Sequence, residues 1–349
     1  MTPPHIAEAF LQQAVACDSL GSPFMGQLMR LFASEHWPDC AVTARIFGWP
    51  GQVGPRDQSV PLRLAGGLHA LHLGGHPVLT PVYPPNRADD AALWQAICTV
   101  LTTETAYIDH WLDFAPQTNE VRRSAALIAT GHLLAAIYGL PLRTSELGAS
   151  GGLNLHWDSY ALQIGEVSFG PKDAVLTLTP DWVGHLPPEA QPEVLSRSGV
   201  DLHPLEPGLA RDALRLQAYL WPDQAERLRL TRAAIDAART RVSQGDAIDW
   251  LGERLTHEAG VVHLIYSTIA WQYFPHAAQA RGEAMIAEAG RRATDQSPLA
   301  WFGMENDGGE RGAALTLRLW PGNSRYDLGR ADFHGRWIDW RADPAMMAK

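Results

Sequence analysis

The segment ELGASGGLNL, Glu146–Leu155, decides how the fold is interpreted, because it fits two different structural motifs. It contains Gly-x-Ser-x-Gly, in which Ser150 would occupy the sharp turn of a hydrolase nucleophile elbow. It also places an acid, Glu146, before a glycine-rich turn that opens a helix, as nucleotide-binding loops do. Ser150 is a nucleophile in the first motif and an ordinary loop residue in the second.

The sequence on both sides of this segment predicts alternating helices and strands. A helix is predicted from a capping signal at Thr118 and Asn119 to Gly139, which precedes Pro141. Strands are predicted at LRTSEL, GVVHLIYS, PLAWFGME, AALTLRLWP and GRWIDW, and the segment SRSGVDLHP is predicted to contain a strand that ends on Asp201. Strands separated by helices favour a parallel sheet covered on both faces, and the last pair, which has no helix between its strands, predicts an antiparallel edge.

Two regions of different character are predicted along the chain. Residues 1–115 contain apolar residues at helical spacing and are predicted to form a helical cap over the substrate. Residues 116–349 are predicted to form one α/β domain, with a β-hairpin inserted near residues 162–181 that turns at GPKD.

Composition excludes several classes of function. A formal net charge of −10 argues against broad nucleic-acid binding. The only internal lysine, Lys172, follows Pro171, so the chain lacks the phosphate-binding loop of kinases. Three scattered cysteines predict a reducing cytoplasm and no metal site. The uncharged run from Ser124 to Leu142 predicts a buried helix rather than a membrane span.

Three acids follow successive strand positions: Glu146 before Gly148, Asp201 in VDLHP and Asp246 in GDA. Ligands of open α/β sheets bind beyond the carboxyl ends of the strands. Glycine has no Cβ, so the backbone of such a turn can approach a ligand closely. Asp201 could accept both hydroxyls of a ribose, and Asp246 could accept the exocyclic amine of adenine. We therefore expect a cofactor that contains adenosine.

This succession resembles the class I S-adenosylmethionine-dependent methyltransferases over residues 116–340. Glu146-x-Gly148-x-Ser150-Gly151-Gly152 is similar to their acid-x-Gly-x-Gly-x-Gly motif, with Ser150 in place of the middle glycine. A serine there is expected to have a φ that is not strongly positive. The resemblance implies a Rossmann-like sheet of seven strands, mostly parallel with an antiparallel edge strand. The cofactor-binding residues that it implies are Glu146, Gly148, Ser150, Gly152, Asn154, Asp201, Asp246, Ala247 and Ser267.

A second resemblance covers nearly the whole chain. The segments QTNEVRRSAAL, ELGASGGLNL, RSGVDLHPLE, YLWPDQAERL and HGRWIDW are similar to the bacterial domain of unknown function numbered 2332. This resemblance implies a methyltransferase-like topology with a helical N-terminal region, and it implies no established substrate.

The predicted activity is methyl transfer from S-adenosylmethionine to a small or medium acceptor, in the cytoplasm and without a membrane or nucleic-acid partner. No general base is predicted. The residues predicted to lie near the acceptor or the reactive end of the cofactor are Gln117, Asn119, Arg122, Tyr266, Trp271 and Tyr273.

Other functions and simpler roles remain open at this stage. The protein could bind a cofactor or regulate without catalysis, or it could be a serine hydrolase in which Asp246 and His263 or His334 complete a triad with Ser150. A nicotinamide dehydrogenase is disfavoured because Gly-x-Gly-x-x-Gly is missing. Asn119 could simply cap a helix.

Overall fold

The computed structural model describes residues 2–55, 57–309 and 311–343, which form two compact units. The first unit comprises the described residues up to Thr118 together with Leu209–Arg229. The second comprises Asn119–Gly208 and the described residues from Leu230 onward. Residues 209–229 are thus grouped with the N-terminal helices.

The first unit is helical. Its helices are α1 (Pro4–Ser19), α2 (Pro23–Ser34), α3 (Ala41–Phe47), α4 (Val60–Leu73), α5 (Asp90–Thr103), α6 (Thr105–Trp111) and α8 (Ala210–Ala218). The apolar faces of α1 to α6 surround a core in which the rings of Phe10 and Phe32 lie 5.2 Å apart, and α8 contributes to a smaller cluster with Trp111. Asp223 belongs to this unit because its carboxylate accepts hydrogen bonds from the Ser22 hydroxyl and from the Phe24 N–H, at 3.0 Å for the latter.

The second unit is built on β-strands that are followed by helices. Its strands are β1 (Leu142–Leu147), β2 (Ala161–Ile164), β3 (Val167–Phe169), β4 (Thr177–Leu178), β5 (Asp181–Gly184), β6 (Val194–Asp201), β7 (Ser243–Gln244), β8 (Val262–Thr268), β9 (Leu299–Glu305), β10 (Ala313–Trp320), β11 (Ser324–Ala331) and β12 (Trp337–Trp340). Its helices are α7 (Ser124–Tyr138), α9 (Ala225–Ala237, in this unit from Leu230), α10 (Ala247–Arg254) and α11 (His276–Arg291).

Nine of the strands form one sheet in the order β5-β12-β11-β10-β9-β8-β1-β6-β7. The five strands from β9 to β7 are parallel, whereas β9, β10, β11 and β12 pair antiparallel. The predicted α/β class with a mostly parallel sheet is confirmed. The predicted number of seven strands is wrong, because β11 and β5 add to the sheet at the antiparallel side.

The two faces of the sheet are covered by different helices, as the alternation of side chains along a strand requires. Leu264 and Tyr266 of β8 pack in the same core as α7 and α9. Ile265, between them, packs in the same core as α10 and α11. Strand β8, near the middle of the sheet, is therefore buried on both faces.

The insertion between β1 and β6 differs in detail from the predicted hairpin. Strands β2 and β3 pair antiparallel, but the chain turns at Gly165 and Glu166, where Gly165 has a φ of 58°, and not at GPKD. Strand β4 pairs parallel with β2 in a separate three-stranded sheet, and β5 continues into the main sheet beside β12.

The helix before β1 begins later than predicted. Residues Val121–Arg123 form a 3-10 turn whose N-cap is Glu120, and α7 follows directly. Thr118 and Asn119 are therefore not its cap, whereas the predicted end at Gly139 is confirmed by its left-handed φ of 60°. In the described part of the chain, no helix has the length and apolar character needed to cross a bilayer.

Candidate functional site

The glycine-rich loop connects β1 to the 3-10 segment Leu153–Ser159. Gly148 and Gly152 have φ angles of 76° and 72°. A Cβ on Gly148 would lie 2.5 Å from the Cβ of Ala270, so this position has both a backbone and a packing reason to be glycine. Ser150 has a φ of 53°, which contradicts the expectation from sequence. Serine therefore adopts here a left-handed conformation that glycine takes without strain, at a cost of about 1–2 kcal/mol.

Most backbone N–H groups of this loop bond to protein atoms. The N–H groups of Gly148 and Ala149 both donate to the Val200 carbonyl at 3.0 Å, and that of Gly152 donates to the Ala149 carbonyl at 2.8 Å. The Ser150 N–H donates to the Asp201 carboxylate at 2.8 Å. Among the described residues, the Gly151 N–H alone in this loop has no acceptor. The loop is thus held to β6 by hydrogen bonds to Val200 and Asp201.

Asp201 connects the loop to the turn that follows β7. Its Oδ2 accepts the Ser150 N–H, and its Oδ1 accepts the His203 N–H at 2.9 Å. Its backbone carbonyl accepts the N–H of Gly245, the residue before Asp246, at 3.0 Å. The structure therefore brings the loop, Asp201 and the Asp246 turn together at the carboxyl ends of β1, β6 and β7.

Asp246 is the N-cap of α10. Its Oδ1 accepts the N–H groups of Ile248 and Asp249 at 2.9 and 3.0 Å and lies 3.5 Å from a guanidinium nitrogen of Arg281. Its Oδ2 has no partner among the described residues. Ala247 begins the helix and is buried. Asp246 thus has a structural role at one oxygen and an available acceptor at the other.

Glu146 lies beneath the loop and not at the open edge. It is 1% exposed, and the Tyr266 hydroxyl donates to its Oε2 at 3.4 Å and to the Asn154 carbonyl at 3.2 Å. Burial raises the pKa of Glu146 well above its usual range. Burial therefore favours the protonated form of this carboxyl group. Tyr266, which was predicted near the acceptor, is fully buried beside it.

A buried polar network fixes the segment before α7 against the glycine-rich loop. The Asn119 Oδ1 accepts the Leu153 N–H at 2.8 Å. The Asn154 amide donates to the Glu120 carbonyl at 3.3 Å, and its oxygen accepts the Ser124 hydroxyl at 2.8 Å. Asn119 and Asn154, both predicted to contact a ligand, use these side-chain atoms to hold protein segments together.

Arg122 pairs with an acid of the same segment. Its Nε lies 3.1 Å from Oε1 of Glu120, which is 1% exposed. Gln117 belongs to the first unit, where it is half-buried.

Glu305, at the end of β9, was missed by the sequence interpretation. Its carboxylate accepts the N–H groups of three consecutive residues, Ala270, Trp271 and Gln272, at 3.1–3.3 Å, and the Ser267 hydroxyl also bonds to it. Burial raises the pKa of Glu305. The signal that could have found it is an acid that closes a predicted strand, which is the signal used for Asp201.

The two aromatic residues predicted to line an acceptor pocket lie in different environments. Trp271 is buried, and its ring packs 5.2 Å from that of Trp301. Tyr273 is 74% exposed. These two rings therefore do not form one wall, and only Tyr273 is available to a ligand from solvent.

The serine hydrolase alternative requires a histidine ring that is hydrogen-bonded to the Ser150 hydroxyl. The Ser150 hydroxyl is buried and has no hydrogen-bond partner among the described residues. His263 instead has Nε2 2.9 Å from the Ser145 hydroxyl and Nδ1 3.1 Å from Arg143. Burial lowers the pKa of His263 well below its usual range. His263 is thus a buried, hydrogen-bonded residue of β8.

The described residues contain no group of three or more His, Cys, Asp or Glu placed to hold a metal ion.

The chain matches the sequence model of one family over residues 7–340, described as an uncharacterized protein conserved in bacteria, DUF2332. The chain belongs to this family. The match spans both units and includes the glycine-rich loop, Asp201 and Asp246. No curated protein and no solved structure matches the chain.

Proposed function

We propose that this member of the family binds S-adenosylmethionine at the carboxyl ends of β1, β6 and β7 and transfers its methyl group to a small or medium acceptor. The observation that carries the proposal is the hydrogen-bonded connection through Asp201, from the Ser150 N–H to the Gly245 N–H. It places a glycine-rich loop and two acids side by side at an edge where α/β sheets bind ligands.

Asp201 suits the ribose of such a cofactor. A carboxylate has about four acceptor sites, two on each oxygen. Each oxygen of Asp201 accepts one backbone N–H, so each keeps one site. Two acceptors on one carboxylate match the two neighbouring hydroxyls of a ribose, and the backbone bonds hold the carboxylate in place before the ligand arrives.

Asp246 suits the adenine amine, because its Oδ2 remains an acceptor while Oδ1 caps α10. The Gly151 N–H is a donor of the loop that could bind the carboxylate of the methionine moiety. S-adenosylmethionine supplies an activated methyl group when bound. The protein's own contribution would therefore be to align the acceptor with it, which requires no strong base.

Glu146 is a positioning residue in this proposal. The Tyr266 hydroxyl donates both to its carboxyl group and to the Asn154 carbonyl, and the Asn154 side chain bonds to Ser124 at the start of α7. Substitution of Glu146 should therefore change the stability of the loop. Substitution of Asp201 or Asp246 should instead change the affinity for the cofactor directly.

Isothermal titration calorimetry with S-adenosylmethionine and S-adenosylhomocysteine tests the proposal. We expect both to bind the wild-type protein and Asp246→Asn to weaken binding about tenfold or more, because the amide presents an NH2 group to the adenine amine. Asn caps helices as well as Asp does, so this variant should stay folded. Asp249→Asn, which changes a neighbouring acid bound to Arg281, is the matched control and should bind normally.

The absence of binding at millimolar cofactor would overturn the proposal. Binding without turnover on a broad acceptor panel would leave a cofactor-binding or regulatory protein of the same fold. Labelling of Ser150 by a fluorophosphonate probe would instead favour the hydrolase.

A further inference from the structure

A small cavity in the second unit lies away from the glycine-rich loop. Its volume is about 120 Å³, and His132 of α7, Trp157, Asp158, Pro171 and Pro192 contribute to its lining. Pro192 precedes the amino end of β6, whereas Asp201 is at the carboxyl end of this eight-residue strand. Eight residues of strand span roughly 26 Å. The cavity is therefore a different place from the proposed cofactor site.

Three lining residues carry a buried polar atom without a hydrogen-bond partner among the described residues. These atoms are Nε2 of His132, Nε1 of Trp157 and Oδ1 of Asp158. His132 and Trp157 are both fully buried. Buried polar groups are normally paired with protein, water or ligand. Three unpaired atoms around one cavity point to something that is bound there.

The hydrogen-bonding character of each atom follows from its surroundings. The His132 Nδ1 lies 3.0 Å from the Pro188 carbonyl, which can only accept, so Nδ1 carries the hydrogen. Burial lowers the pKa of His132, which favours the neutral ring, and in the neutral ring with a hydrogen on Nδ1 the Nε2 atom is an acceptor. The Trp157 indole N–H is a donor, and Asp158 Oδ1 is an acceptor.

The charge of the cavity is balanced. The other oxygen of Asp158 lies 2.6 Å from a guanidinium nitrogen of Arg197. A cationic ligand would face Arg197, and an anionic ligand would face Asp158 and the lone pair of His132. The site thus selects for a neutral molecule.

We propose that this cavity binds a small neutral molecule that donates two hydrogens and accepts one, as a primary carboxamide does. The NH2 group would donate to His132 and Asp158, and the carbonyl would accept the Trp157 N–H. A cavity of about 150 Å³ holds benzene, so the present one takes about five non-hydrogen atoms. This inference is independent of the proposed methyl transfer.

Saturation-transfer NMR of the full-length protein with acetamide and N,N-dimethylacetamide tests the ligand chemistry. Acetamide supplies both donor hydrogens, whereas its dimethyl analogue supplies none. We expect acetamide to bind with a millimolar Kd and the analogue to give no saturation transfer. No signal from acetamide, or equal signals from the two amides, would overturn the proposal and leave a cavity filled by water.

A pair of tryptophan variants tests the location. Trp157→Phe removes the indole donor of the cavity. Trp340→Phe is the matched control, because Trp340 is also fully buried with an unpaired indole N–H but does not line the cavity. Trp157→Phe should weaken acetamide binding roughly three- to tenfold, the value of one hydrogen bond, and Trp340→Phe should leave it unchanged. Equal affinities of all three proteins would refute the location. If Trp157→Phe does not fold, the two-amide comparison on the wild-type protein decides.

Discussion

The acids at the carboxyl ends of the parallel strands fall into two pairs that differ in what they bind. Glu146 and Glu305, near the ends of β1 and β9, are buried and bond to protein groups, and burial raises the pKa of both. Asp201 and Asp246, after β6 and β7, reach the surface and keep unused acceptor sites. An acid that closes a strand is therefore one sequence signal with two outcomes, a support for the backbone or a site for a ligand.

The largest effect that this comparison predicts is on stability at Glu305. Glu305→Ala would leave the N–H groups of Ala270, Trp271 and Gln272 without their acceptor. We expect the free energy of unfolding to fall by about 3 kcal/mol, measured by urea denaturation. Glu305→Gln keeps one acceptor oxygen and should lose about half as much. A loss below about 1 kcal/mol for the alanine variant would show that these N–H groups do not depend on Glu305.

A smaller effect with a defined pH dependence is expected at Glu146. Its pKa is raised in the folded protein, so its contribution to stability is complete below the pKa of the unfolded chain and is lost as pH rises through the folded value. Glu146→Gln imitates the protonated form and should not lose stability in this way. Relative to wild type, the variant should therefore gain free energy of unfolding as the pH rises from 4 to 8.

Urea denaturation at both pH values measures this difference. Asp249→Asn, at an exposed position, controls for the loss of one negative charge. A difference between Glu146→Gln and wild type that does not change with pH would mean that Glu146 is ionised in the folded protein.

Sequence patterns predicted where the acids stand but not which way they point. Strands β1 and β8 were found at the predicted positions. The apolar residues of β8 are buried on both faces, whereas β1 is apolar only at Leu142 and Leu147. Strand β11 was missed because Arg325, Asp327 and Arg330 interrupt its pattern, and β5 was missed because it is short and largely exposed. The Glu146 side chain lies beside Tyr266 because the two residues are paired in neighbouring strands, β1 and β8. This contact joins residues far apart in the sequence, and local spacing does not encode it.

For Asp201 and Asp246, a smaller effect on stability is expected, at the N-cap of α10. Asp246→Ala removes the acceptor for the N–H groups of Ile248 and Asp249 and should cost about 1 kcal/mol, whereas Asp246→Asn should cost little. Thermal denaturation of the two variants measures this. If Asp246→Asn proved as unstable as Asp246→Ala, its effect on cofactor binding could not be assigned to the unused oxygen.

The smallest expected effect is at Ser150, whose N–H donates a hydrogen bond to the Asp201 carboxylate. Ser150→Gly relieves a positive φ that costs about 1–2 kcal/mol in serine, but glycine loses about 0.5–1 kcal/mol more in backbone entropy on folding. A net gain of about 0.5 kcal/mol is expected from urea denaturation. Gly139→Ala, at a φ of 60° with no atom within 4 Å of the added Cβ, is the reciprocal control and should lose about as much. A destabilised Ser150→Gly would show that the buried hydroxyl has a bonding role that outweighs the strain, because the N–H to Asp201 is present in both residues.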